Sequence, residues 1–116
     1  MKSSISDKIR LQHILDSIND IILFTKDIDY NTYIADYKLR LALVKLIEII
    51  GEASNGISSE TIKSVPEIEW SVLIGIRNVL VHEYFGIDYE IIWNSIKGNI
   101  PDLKIKIEKV LLNLSE

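Results

Sequence analysis

The sequence predicts an all-α protein, an up-and-down bundle of four to five helices folded as a single domain over residues 1–116. Three observations predict it. Apolar residues recur at three- and four-residue spacing through most of the chain, as on the buried stripe of a helix. The interruptions fall at turn-forming residues, namely Asn55-Gly56, Gly86 and Gly98-Asn99-Ile100-Pro101. The chain has 116 residues, 47% of them apolar, which suffices for one modest core and is too short for two ordinary domains.

Taken in order, the first helix starts after Ser6 or Asp7, either of which can cap it, and runs to about Lys26 with Ile14, Leu15, Ile18, Ile21 and Ile22 as its apolar residues. His13 lies on the other side with Arg10, Asp16, Ser17 and Asp20, a solvated face. Asp27 to Thr32 reads as a connector, and Asn31 or Thr32 caps a second helix that continues to about Ala53. Nine of the twelve residues from Leu39 to Ile50 are apolar, a band wide enough to need burial on more than one side. This predicts packing of a central helix against a second protomer. Lys45, Glu48 and Glu52 form its polar stripe, either a solvated ion pair or an edge of a functional cleft.

Ser54 to Val65 reads as the main loop, with a helical turn at Glu60 to Lys63. Pro66 stands near the first turn of a third helix, where its missing N–H costs little, and Trp70 is placed in the core. Gly75 within this helix points to a packing reason such as a closely approaching partner helix. Gly86 ends the helix. Asp88 caps a fourth one carrying Ile92, Trp93 and Ile96, and the Gly98 to Pro101 stretch breaks or kinks the path. The last segment buries Leu103, Ile107, Val110, Leu111 and Leu114 and turns Lys104, Lys106 and Lys109 to solvent.

Composition narrows the function. Cysteine is absent, so disulfides and thiolate metal sites are excluded, and two separated His residues do not make a zinc site; no metal or other cofactor is expected. The first residues carry no apolar signal core and no apolar run approaches a membrane span, so the expectation is a soluble cytoplasmic protein. A formal net charge of −4 argues against a broad basic nucleic-acid face. It leaves room for a small cleft in which paired arginines hold a few phosphates.

The chemistry is concentrated in Arg77-Asn78-Val79-Leu80-Val81-His82-Glu83-Tyr84-Phe85-Gly86. At 100° per residue Glu67, Ser71, Gly75, Asn78 and His82 share one line of a helix, with Arg77 and Tyr84 on the next. Arg is permanently charged and suits phosphate, His transfers protons near neutral pH, and Asn and Tyr donate hydrogen bonds, a set suited to phosphodiester cleavage. A bland alternative stands beside this, because cations in a last helical turn also offset exposed carbonyls.

The pattern Arg77-x4-His82-x-Tyr84 resembles the signature of the HEPN superfamily, specifically its HepT branch. Glu48-Ile49-Ile50-Gly51-Glu52-Ala53, Pro66 to Trp70, Ile74 to Asn78, Tyr84 to Asp88 and Ile92-Trp93 resemble further motifs of that branch in the same order. The likeness covers nearly the whole chain. Glu69 before Trp70 and Gly98-Asn99 before Ile100-Pro101 depart from the usual pattern, and neither touches the polar line.

The resemblance implies a HEPN-like bundle that dimerises through its central helices, and the toxin of a type VII toxin-antitoxin module: a metal-independent endoribonuclease acting on tRNA or mRNA. RNA supplies its own nucleophile, the ribose 2′-OH, so cleavage needs a base, an acid and positive charge. One chain offers a single suited His, and a homodimer would supply two copies each of His82 and Arg77. In that scheme His82 is base or acid, Arg77 stabilises the phosphorane, and Asn78 orients Arg77 or a phosphate oxygen. The resemblance also implies an MntA-like nucleotidyltransferase antitoxin that places AMP on Tyr84. The alternative is a non-catalytic HEPN module that binds a nucleotide or docks such a partner, with Arg77 and His82 as phosphate ligands.

Overall fold

The computed structural model describes residues 2–82 and 86–114, and the side chains of 6–78 and 86–114. Among these residues it is all-helical: α1 (Lys2–Thr25), α2 (Tyr30–Ala35), α3 (Tyr37–Asn55), α4 (Ser59–Ser64), α5 (Trp70–His82), α6 (Tyr89–Gly98) and α7 (Ile100–Leu114). Four long helices, α1, α3, α5 and α7, carry the bundle, with α3 held between α1 and α5 and with α7 on α1. No helix is long and apolar enough to cross a membrane, among the described residues.

The helical spacing of apolar residues builds the core as expected. Leu11, Ile14, Ile18 and Ile21 of α1 are fully buried, and they meet the Leu103, Ile107, Val110 and Leu111 stripe of α7 and the Leu43, Ile47 and Ile50 face of α3. Ile22 falls outside this stripe and is 37% exposed. The wide apolar band of α3 is mostly covered within one chain, because α1 and α5 pack on two of its sides; Leu41 is left half-exposed. Its width therefore does not by itself demand a second copy.

Several boundaries differ from the sequence reading. Helix α1 begins at Lys2, so Asp7 lies inside it and is not its cap. The buried Asp7 carboxylate instead reaches the start of α4, accepting from Ser58 N–H at 2.9 Å, Ser58 Oγ at 2.6 Å and Thr61 Oγ1 at 2.5 Å. Burial raises its pKa, but these bonds and the nearby Arg10 charge outweigh that and hold it below the ordinary carboxylate value. The expected connector includes the start of α2, which Asp29 caps and which runs on to Ala35, and Asp36 caps α3, so neither Asn31 nor Thr32 starts the second long helix. Tyr33 explains the short helix: it is fully buried, stacks on Trp93 at 4.7 Å between ring centroids, and donates its hydroxyl to Tyr89 O at 2.8 Å.

The helical turn expected at Glu60 to Lys63 is α4, begun by the Ser58 cap. Residues 65–69 form a turn, so α5 starts at Trp70, with the Glu69 carbonyl accepting from Leu73 N–H at 3.2 Å, and Pro66 lies outside the helix. Buried Ile68 holds that turn to the core. Lys106, expected in solvent, donates to Glu67 O at 3.0 Å and pairs with Asp102 at 2.8 Å, fastening the entrance of α5 to α7. Trp70 is buried and its indole N–H donates to Val65 O at 3.2 Å, as a core residue does. Asp88 caps α6 as expected, accepting from Glu90 and Ile91 N–H. Gly98 is the last residue of α6, Asn99 alone separates it from α7, and Pro101 sits in the first turn of α7, where no N–H is needed.

Candidate active site at the crossing of the third and fifth helices

The position of Arg77 is set by a glycine. Gly51 of α3 is buried against α5, and a Cβ built there would lie 2.2 Å from Arg77 Cβ and 2.8 Å from Leu73 O. Any side chain at 51 would drive the two helices apart. The close approach brings the following residue, Glu52, onto the Arg77 side chain: Glu52 Oε2 lies 2.5 Å from Arg77 Nε. The carboxylate is off the N–H direction, so this is an ion pair, and the buried Nε–H has no aligned acceptor. Arg77 Nη1 donates to Asn78 Oδ1 at 2.9 Å. The guanidinium is thus gripped from α3 on one edge and from its own helix on another. Its side chain remains 26% exposed and that of Glu52 61% exposed, so the group is fixed yet open to solvent.

Ser71, Gly75 and Asn78 are exposed, which makes the polar line of α5 a solvent-facing line in the single chain. Glu67 precedes the helix and does not extend it. His82 is the last helical residue described, four positions beyond Asn78 on the same helix; its side chain lies outside the described residues. Tyr84, the expected modification site, lies outside the described residues altogether. Among the described residues nothing lies within 4 Å of a Cβ at Gly75, so none of them packs closely there.

Of the polar stripe on α3, exposed Lys45 and half-buried Glu48 form a pair at 3.8 Å, whereas Glu52 belongs to the arginine site. That role has a signal in the sequence only through the pairing of Gly51 with Glu52, and it needs the tertiary crossing to be seen. His13 is exposed as expected, but it is not on a featureless surface. With Arg10 it lines a cleft of about 570 Å³ between α1 and the end of α3, whose other wall includes Glu52 and Asn55. Ser17, expected on the same solvated face, is buried. A second groove, about 290 Å³, is lined mainly by aliphatic residues such as Ile47, Val72, Ile76 and Ile91, and two of its charged residues, Asp102 and Lys106, neutralise each other. Among the described residues no three His, Asp or Glu side chains gather as metal ligands would.

Chemically, a half-buried guanidinium beside an amide, on a helix that leads to an imidazole-bearing residue, is a set of groups suited to phosphate. Comparison with known proteins identifies the family. A family model described as Ribonuclease HepT-like matches residues 14–110. A provisionally named RNase of Methanocaldococcus jannaschii, MJ1380, is 45% identical over 100 residues, covering 86% of this chain and 92% of its own. A provisionally named ribonuclease HepT of Thermococcus cleftensis is 38% identical over 105 residues, covering 90% of this chain and 96% of its own. No solved structure gives a significant match.

Proposed function

Because the chain belongs to the Ribonuclease HepT-like family, we propose that it is a metal-independent endoribonuclease, the toxin of a type VII toxin-antitoxin module acting on tRNA or mRNA in the cytoplasm. The observation that carries this reading is the fixed Arg77. Glu52 and Asn78 occupy two edges of its guanidinium, which leaves Nη2 for a phosphate oxygen. In the proposed reaction a base removes the 2′-OH proton and the 2′-oxygen attacks the adjacent phosphorus. Arg77 stabilises the charge gathering on the non-bridging oxygens. The bond to the 5′-oxygen then breaks as an acid protonates it, giving a 2′,3′-cyclic phosphate and a 5′-OH.

His82 supplies one of these proton transfers and, in a homodimer joined along α5, its copy supplies the other. The open backbone at Gly75 and the half-exposed Val72 and Leu41 are compatible with such a joint. Dimerisation is then part of the mechanism. Regulation belongs to the same proposal: an MntA-like nucleotidyltransferase antitoxin places AMP on Tyr84, seven residues after Arg77 and two after His82 in the sequence, and the added phosphate would neutralise the cation and block RNA. The acidic balance, −4 overall, favours one second reading, a non-catalytic module that binds a nucleotide or docks the nucleotidyltransferase. The test is end-group analysis of a tRNA pool after incubation with wild type and Arg77→Ala, alongside mass spectrometry after co-expression with the antitoxin. Cyclic phosphate ends from wild type alone and an adduct on Tyr84 support the proposal. Intact RNA with nucleotide still bound selects the second reading.

A further inference from the structure

Arg10 and His13 take no part in the arginine site, yet they stand beside it. Both line the cleft between α1 and the end of α3, and Glu52 is common to the two places, since its carboxylate pairs with Arg77 while the residue forms part of the cleft wall. The ion pair with Arg77 neutralises the one acid in that wall. Arg10 reaches the end of α3. Its side chain lies across Gly56 so closely that a Cβ there would fall 2.3 Å from Nε and 3.0 Å from Cζ. Asp7 accepts three hydrogen bonds from Ser58 and Thr61, and the charge of Arg10 adds a smaller share to holding its carboxylate. The cleft therefore presents a guanidinium, an imidazole and the amide of Asn55 along a path that begins at Arg77.

We propose that this cleft is a second phosphate subsite, which holds the backbone of a single-stranded RNA next to the nucleotide placed at Arg77. Arg10 and His13 donate to a non-bridging phosphate oxygen, and the Asn55 amide donates to the adjoining ribose 2′-oxygen. A cationic track on an otherwise acidic protein confines binding to a few nucleotides and makes it steeply salt-dependent. The proposal rests on the ribonuclease reading for its choice of RNA and deepens it by assigning where the strand runs.

The test reads binding without cleavage. A fluorescein-labelled 2′-O-methyl oligonucleotide, which has no free 2′-nucleophile, is titrated at low salt by anisotropy against wild type, His13→Glu, His13→Lys and Lys109→Glu, the last being an exposed charge outside the cleft. His13→Glu is expected to weaken binding about tenfold and to reduce the salt slope by about one, His13→Lys to bind at least as well as wild type, and Lys109→Glu to change affinity by less than about twofold. His13 is exposed, so melting temperatures should stay together. If His13→Glu is no worse than Lys109→Glu, the subsite is refuted, even where wild type cuts RNA. If wild type cuts no RNA, the ribonuclease reading falls, and the same titration still decides the subsite.

Discussion

Gly51→Ala is the sharpest perturbation the fold offers, because one methyl group tests both the helix crossing and the site built on it. The new Cβ would stand 2.2 Å from Arg77 Cβ and 2.8 Å from the Leu73 carbonyl oxygen, and neither obstacle is the far end of a flexible side chain. Carbon atoms pack at about 3.5–4.0 Å, so α3 and α5 must separate by roughly 1.5 Å at this point. Overpacking of this kind costs about 3 kcal/mol, the upper end of the usual range, since rotamer changes cannot relieve it. At about 4 °C per kcal/mol for a domain of this size, the melting temperature should fall by roughly 12 °C. Arg77 moves with the crossing, and a misplacement of about 1 Å at a catalytic group costs on the order of a hundredfold in rate. Circular-dichroism melts and RNA cleavage below the melting point measure both effects. Gly98→Ala is the matched control: among the described residues nothing lies within 4 Å of its Cβ and its φ is not positive, so stability should change by less than about 1 kcal/mol. A Gly51→Ala protein that melts within about 2 °C of wild type and cuts RNA normally would refute the packing argument.

Other expectations follow from particular contacts. Glu52→Gln removes the charge that grips Arg77; because Glu52 is 61% exposed, stability should change by less than about 1 kcal/mol, while kcat falls about tenfold and KM does not rise. Asp7→Asn should cost about 2 kcal/mol at neutral pH by unpairing Ser58 and Thr61. Since the folded-state pKa of Asp7 lies below its ordinary value of 3.8, that stability is present above pH 3.8 and is lost as pH falls through the folded value, so urea melts of the two proteins should converge only in strong acid. Tyr33 behaves oppositely. Burial pushes its hydroxyl up to about 12 from 10.0, so its contribution is complete below pH 10.0 and disappears as pH rises through about 12, a loss that Tyr33→Phe should abolish in alkaline melts.

Much of the bundle was legible because burial imposes a period. Leu11, Ile14, Ile18 and Ile21, and then Leu103, Ile107 and Leu111, repeat at the helical interval, and Asp88 announces α6 by the ordinary chemistry of a cap. The short α2 was not legible, because six residues with one buried tyrosine hold no periodicity; its reason is the stack on Trp93, far along the chain. The start of α5 was misplaced for a similar cause. Pro66 is a good first-turn residue, but Ile68 burial and the Lys106 bond to Glu67 draw residues 65–69 into a turn. In the site, Arg77 and Asn78 could be chosen from residue chemistry and spacing on one helix. Glu52 could not be assigned to Arg77, since their meeting depends on Gly51 allowing two helices to touch. Asp7 misled for the same physical reason: a local cap and a partner 51 residues away look identical in sequence.

The central claim is that residues of this chain cut RNA by internal attack without a metal. Its most direct test is incubation of a tRNA pool with the purified protein in excess EDTA at low salt, beside the His82→Ala variant, with cleavage read on a denaturing gel and the ends assayed for cyclic phosphate. The account predicts that wild type cuts and leaves 2′,3′-cyclic phosphates while His82→Ala loses at least about a hundredfold in rate. Equal cleavage by both proteins, or cleavage by wild type that EDTA abolishes, would contradict it.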